Sequence, residues 1–442
     1  MGDSRRNERV LEIVSGIVQG HASATHGTAG ADKEVPWAHA MGAYRFFDND
    51  DVALPRLYGM VDQALLELVL PDERCYIVHD FSCIDYATHS KKADRIQIIN
   101  GRSIGYDLYS ALVLNARGQP LGPVVQELRT EHGCLSSESD EPLPFESHLQ
   151  QVERAIDAAR QKLPGRERVH LADREFDDVH LQRWIARTED KFVIRVQHLS
   201  RRVRNFVGHE RKIGDLIATI PLVPAGTVER KGERYRVYRG ETPVQLFAPA
   251  RRGITASKTR GTKQPRPQPG PTLSLRLVIA ELRNTSTNDV LRWALLTNLD
   301  DPIEEVVQAY LWRWRVERLF YLVKVGFRLE QWRQATGERI ARRLALSSLA
   351  AMVIYQLQAA EGRKDIDATL KVVATLGGWL NRKKQPIGPI VLMRGIQILL
   401  STLAAIERFG VDGLRSMAKQ LGLGFALPKR PARRFAAIKR DV

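Results

Sequence analysis

The stretch "FESHLQQVERAIDAARQKLPGRERVHLADREFDDVHLQRWIARTEDKFVIRVQ", residues 145–197, changes its hydrophobic period three times. "FESHLQQVERAIDAARQKLPG" has the spacing of an amphipathic helix, "RVHLADRE" is a short buried-strand run ending at Asp173, "FDDVHLQRWIART" returns to the helical period, and "KFVIRVQ" is again a strand. Upstream, "CYIVHD" from Cys75 reads as a buried strand ending at Asp80. "SIGYDLYSALVLNARGQPLGPVVQELRTE" reads as two more strands joined at Ala116-Arg117-Gly118. The order is three strands, helix, strand, helix, strand.

That is the order of an RNase H-like core, which we expect over residues 71–197. From 198 to 274 the pattern gives way to short polar strands such as "ERYRVYRG" and to "RRGITASKTRGTKQPRPQPGP", with six basic residues and no acidic one. This segment is expected to be a β-rich insertion with a basic loop. "LSLRLVIAELR" and "VLRWALLTNL" then read as strands, and the core resumes over 275–335 with a long helix. Residues 1–70 read as helices around a Gly-, Ala- and His-rich middle. Residues 336–442 read as helical from "ERIARRLALSSLAAMVIYQLQAA" through "PIVLMRGIQILLSTLAAIERFG", with a basic end, "PKRPARRFAAIKRDV". The expected fold class is α/β: an RNase H-like core with a β-rich insertion, flanked by N-terminal and C-terminal helical regions.

A chain of 442 residues that is 43% hydrophobic can bury a large core and holds two to four domains by length. Its formal charge of +16 exceeds ordinary surface decoration and points to a polyanionic partner, nucleic acid before membrane, bound with salt sensitivity. No apolar stretch reaches the ~18 residues needed to span a bilayer. The best, "LALSSLAAMVIYQLQAA" from Leu344, carries two serines and two glutamines, so a cytoplasmic protein is expected. Cys75, Cys83 and Cys134 match no zinc spacing and cannot all pair within the chain, which suits buried thiols in a reduced compartment.

Within "YLWRWRVERLFYLVK", residues 310–324, three arginines, a glutamate and a lysine interrupt an apolar run. On a continuous helix Tyr310, Arg313, Glu317 and Lys324 form one stripe about 60° wide. Such a stripe is a solvated face or a functional one. Hydrolysis of a phosphodiester asks for a few converging carboxylates that hold two magnesium ions. Asp80 and Asp173 stand at expected strand ends, and Glu317 could reach them from the helix. For each aspartate the alternative is a helix cap or turn residue. For Glu317, an unpaired charge on an apolar helix would cost several kcal/mol, which a metal removes.

The spacing Tyr310-x2-Arg313-x3-Glu317-x6-Lys324 resembles the Tyr-Arg-Glu-Lys signature of the insertion-sequence-four family of DDE transposases, the bacterial cut-and-paste enzymes. "GAYRFFDNDDV" resembles the family's end-binding segment, "YIVHD" its first-aspartate strand, and "LADREFDDVHLQRW" followed by "KFVIR" its second-aspartate block. The resemblance covers most of the chain. It implies that Asp80, Asp173 and Glu317 are the catalytic triad binding two Mg²⁺ ions, with Mn²⁺ as a substitute, in the RNase H-like fold. Tyr310, Arg313 and Lys324 would contact phosphates at the transposon end, and Arg195 a phosphate near the active site. Trp293 would stack a base flipped from the duplex; as read from its strand alone it is equally a core tryptophan.

The implied reaction is attack by activated water at the element's end to free a 3′-hydroxyl, which forms a hairpin on the opposite strand. Water reopens the hairpin, and the 3′-hydroxyl then attacks target DNA. The partners would be duplex DNA, both transposon ends and target, and a second copy of the chain in a synaptic homodimer, with the C-terminal helical region as its contact and a bacterial, nucleoid-associated location. The chain departs from the family in two places. "MGDSRRNERV" aligns with an interior part of the N-terminal end-binding domain, so an earlier helix is expected to be absent. Phe81 and Ser82 follow Asp80 where relatives more often carry threonines. The late start motivates a rival reading, a non-catalytic regulator that dimerises with a full-length partner. A stand-alone nuclease on the same core is the third.

Overall fold

A computed structural model describes residues 4–20, 37–98, 101, 103–230, 233–250, 269–287, 289–380 and 386–421. Most of the basic loop and all of the basic C-terminal end lie outside the described residues. The chain is mixed α/β, built on a large mixed sheet with helices packed around it.

Three helices open the described chain: α1 (Ser4–Gln19), α2 (Trp37–Phe47) and α3 (Leu54–Leu68). Leu57, Tyr58, Val61 and Leu65 recur at helical spacing and are the buried face of α3. The sheet begins with β1 (Cys75–Asp85), β2 (Ile96–Gln97), β3 (Ile104–Leu114), β4 (Pro120–Thr130) and β5 (Gly133–Ser136). β3 and β4 are buried almost throughout, as expected of strands covered on both faces. α4 (His148–Lys162) follows, its first turn capped by Ser147, whose hydroxyl accepts from the Gln150 N–H at 3.2 Å. Then come β6 (Arg168–Ala172), α5 (Val179–Arg187) capped by Asp178, and β7 (Lys191–Arg195).

β1 lies antiparallel to β3 and parallel to β6, and β6 lies parallel to β7. One difference from the sequence reading bears on the site. β1 does not end at Asp80 but runs on to Asp85, because its pairing with β3 continues to Asp85 opposite Gly105. Only its pairing with β6 stops, at His79 opposite Ala172.

Beyond β7 the chain forms β8 (Arg202–Asn205), β9 (Glu210–Lys212), α6 (Ile213–Thr219), β10 (Val223–Arg230), β11 (Glu233–Leu246), β12 (Leu273–Asn284) and β13 (Val290–Thr297). These strands belong to the same sheet, thirteen-stranded among the described residues, whose order is β5-β4-β3-β1-β6-β7-β13-β12-β11-β8-β9, with β10 on β11 and β2 on β3. β13 pairs with β7, and β11 pairs with β12 from Tyr235 opposite Asn284 to Leu246 opposite Leu273.

The expected continuous helix over 310–324 is three pieces: α7 (Ile303–Trp312), α8 (Trp314–Tyr321) and a π-turn (Leu322–Gly326). At the first joint the Arg313 N–H donates to the Tyr310 carbonyl at 3.1 Å and the Val316 N–H to the Arg313 carbonyl at 3.3 Å, a locally tightened i→i−3 pattern. At the second, the Phe327 N–H reaches back five residues to the Leu322 carbonyl at 2.9 Å.

α9 (Gly337–Ala359), α10 (Asp367–Leu376) and α11 (Pro389–Gln420) finish the described chain. α9 and α11 are long and apolar enough to cross a membrane, a length the sequence reading did not grant them. The apolar window of α9 is 78% buried inside the protein, against β4, α3 and α1, so its composition is that of a core helix. The window in α11 is only 28% buried. Cys75 and Cys134 are buried, Cys83 is half-buried, and none of the three is in a disulfide. Burial pushes the Cys75 thiol up to about 11 and the Cys134 thiol up to about 12, which keeps both protonated and unreactive.

Candidate functional site

The register of β1 on β6 sets the first pair of side chains. His79 lies opposite Ala172, so Asp80 and Asp173 are the next residues on two neighbouring parallel strands. Strands 4.7–4.9 Å apart bring such residues to adjacent positions. β6 ends there, since Asp173 turns the chain into a single 3₁₀ turn (Arg174–Phe176) and its carboxylate accepts from the Glu175 N–H at 2.8 Å. The capping reading of Asp173 is therefore realised, beside its neighbour Asp80.

Asp80 is mostly buried, its side chain 19% exposed. Burial lifts its carboxyl to about 7; the Arg313 charge and the Phe81 N–H pull the other way, and the negative charges of Asp173 and Glu317 add to the rise. Asp80 thus feels both of the other acidic residues. Arg313 sits among them with its side chain 6% exposed: Nη1 is 3.2 Å from Asp80 Oδ2, and Nη2 donates to Glu317 Oε1 at 2.7 Å. Glu317 follows four residues after Arg313, so the pair shares one face of the helix. The stripe is consequently not a solvated face at Tyr310 or Arg313, both buried; it opens to solvent at Glu317, 39% exposed.

Tyr310 packs edge-on against Trp293, ring centres 5.5 Å apart. Burial raises its hydroxyl pKa, while Arg313 and a hydrogen-bonded Arg195 oppose the rise. Arg195, at the end of β7, therefore joins this group. Trp293 is 5% exposed, a core tryptophan of β13 that offers no open ring face to a flipped base. Lys324 leaves the group: the π-turn directs its ammonium to the Cys83 carbonyl and to Glu330 at 3.5 Å, further along β1. Cys83 lies three residue steps along the strand from Asp80, about 10 Å.

Sequence reasoning missed a polar strut beneath the site. The Tyr109 hydroxyl lies 2.7 Å from His79 Nδ1, His79 Nε2 lies 2.8 Å from His170 Nδ1, and His170 Nε2 lies 3.2 Å from Asp190, which also takes Arg168. Asp190 is held ionised: burial works against it, but the His170 and Arg168 hydrogen bonds outweigh that. A carboxylate only accepts, so His170 donates through Nε2; in its neutral tautomer Nδ1 accepts from His79 Nε2, and His79 Nδ1 then accepts the Tyr109 proton. Burial accordingly keeps His79 neutral. The strut crosses β3, β1 and β6 to the edge of β7, directly behind Asp80. The histidines in "YIVHD" and "RVHLAD" were the available signal, but only the strand register reveals their pairing.

Carboxylate oxygens are the donors that hard divalent cations take, so the chemistry of Asp80, Asp173 and Glu317 fits Mg²⁺. Their spacing in this state does not form a ligand cage: among the described residues no group of three His, Cys, Asp or Glu side chains is close enough to hold a metal. A guanidinium stands between two of the three. No protein-family model matches the chain, and no curated protein matches it either.

Proposed function

We propose that the chain is a DDE transposase of the insertion-sequence-four type, cutting and joining DNA on an RNase H-like core. The observation that carries the reading is the β1–β6 register, with Asp80 beside Asp173 and Glu317 linked to Asp80 through Arg313. The order β4-β3-β1-β6-β7, with β1, β6 and β7 parallel, β3 antiparallel to β1 and β4 antiparallel to β3, supports the core assignment.

In this reading Asp80, Asp173 and Glu317 hold the divalent ions, which when bound activate water and stabilise the leaving oxygen. The protein supplies position and electrostatics. Arg195, Arg313 and Tyr310 line one side of the acidic group and orient the scissile phosphate, while Lys324, further along β1, takes a neighbouring phosphate. The His79–His170 strut fixes the strands from which the two aspartates project.

The test is a labelled duplex carrying the inverted repeat that flanks the gene, incubated with Mg²⁺ or EDTA and resolved on a denaturing gel. The expected result is Mg²⁺-dependent nicking at the element boundary, reduced at least about 10³-fold in Asp173→Ala and in Glu317→Gln. Equal cleavage by Glu317→Gln would sink the proposal. A non-catalytic DNA-binding regulator is the second reading, favoured by the guanidinium between the carboxylates. A retarded complex on a native gel without cleavage would select it.

A further inference from the structure

We propose that Arg313 is an exchangeable internal cation: its guanidinium ties Asp80 to Glu317 until a divalent ion takes their oxygens, and then turns to a phosphate of the DNA strand. The inference rests on the functional reading above and concerns how the same site is filled.

Four observations carry it. The guanidinium, itself 6% exposed, reaches both carboxylates at once, at 3.2 and 2.7 Å, between the largely buried Asp80 and the more open Glu317. Carboxylates gathered there need a positive partner, and the guanidinium meets the need that a metal otherwise meets. It cannot share the place with a divalent ion, because like charges a few ångströms apart at low effective dielectric repel strongly. Second, the Nε of Arg313 is buried without a hydrogen-bond partner. The present arrangement therefore leaves part of the fork unsatisfied, which a phosphate oxygen would complete.

Third, Arg313 is the joint between α7 and α8, with the tightened turns on either side, so the side chain sits where the helix is already interrupted. Mid-helix tightening of this kind marks hinges. Fourth, the indole of Trp314 lies 5.2 Å from the guanidinium carbon, and Arg195 borders the same group through Tyr310. A guanidinium leaving the carboxylates thus has an aromatic face beside it and a second cation with which to share a phosphate. The consequence is linkage: metal and DNA each displace the same contact, so each assists the other, and metal alone binds weakly.

Binding of Mn²⁺ in the absence of DNA, measured by the electron paramagnetic resonance of the free ion, tests this without reference to activity. Arg313→Gln should bind Mn²⁺ at least about tenfold more tightly than the parent chain. Arg313→Lys, which keeps one charge but cannot bridge two carboxylates, should fall between them. Circular dichroism melts establish that each variant folds, and Arg313→Lys carries the comparison if Arg313→Gln does not. Adding a terminal-repeat duplex should tighten Mn²⁺ binding to the parent and leave Arg313→Gln nearly unchanged. Equal Mn²⁺ affinity in parent and variants, abolished by Asp80→Asn, would overturn the exchange and leave the metal-site reading standing. Mn²⁺ binding insensitive to Asp80→Asn, with or without DNA, would overturn both.

Discussion

His148 opens α4 with its ring edge-on to Phe81 at 4.7 Å and to Phe145 at 5.1 Å. Burial, helped by the Arg129 charge, presses its pKa down to about 4, below the ordinary value of 6.5. A base whose folded pKa is depressed favours folding above its unfolded pKa and loses that contribution as pH falls. Stability should therefore decline from about pH 6.5 towards 4, by up to roughly 3 kcal/mol from this residue. His148→Phe, which keeps the aromatic contacts, should show a smaller drop in melting temperature between pH 7 and pH 5 than the parent; an equal drop would remove His148 as the cause. At this scale the acidic residues were the most legible feature of the sequence, because a carboxylate closing an apolar strand or centred on an apolar helix is conspicuous. His79 and His170 were not, since each alone looks like an ordinary interruption of a buried run. Trp293 was legible only as a choice between a base-stacking ring and a core tryptophan, and its burial is a tertiary property.

Between elements, the His79–His170 contact ties parallel strands that backbone hydrogen bonds already join. Replacing either histidine by leucine leaves the other with an unmet buried nitrogen, at a cost of about 2–3 kcal/mol. The double replacement should cost clearly less than the sum, and denaturant melts of the full cycle would measure the coupling. α10 and α11 meet through glycines: a methyl group on Gly395 would overlap the Val373 carbonyl, and one on Gly377 the Val391 carbonyl. Gly395→Ala should lower stability by about 2 kcal/mol, and an unchanged melting curve would show that the helices part freely. Element type was readable from period alone for α4, β6, α5 and β7. Element ends were not. β1 overruns Asp80 because β3 offers it partners, and the helix over 310–324 breaks at Arg313 and again after Tyr321, neither of which leaves a Gly or Pro signal at the break.

Over the whole chain, 67 basic against 51 acidic residues would make the proposed association with duplex DNA an electrostatic matter. Affinity should fall on the order of 10³-fold between about 50 and 200 mM salt, in a fluorescence-anisotropy titration. A nearly flat salt response would mean that the charge serves something other than DNA. Composition supplies that expectation, yet it could not announce that the strands after β7 extend the same sheet, since that rests on pairings between distant residues, β13 on β7 above all. The ladder from Tyr235–Asn284 to Leu246–Leu273 spans the chain segment around residues 251–268. A chain severed within that segment still has its two parts stitched by a full strand pair and by the β7–β13 edge. The protein is thus a natural substrate for fragment complementation: halves expressed as separate polypeptides should find each other and assemble, turning one gene product into a two-part reagent whose activity reports their meeting.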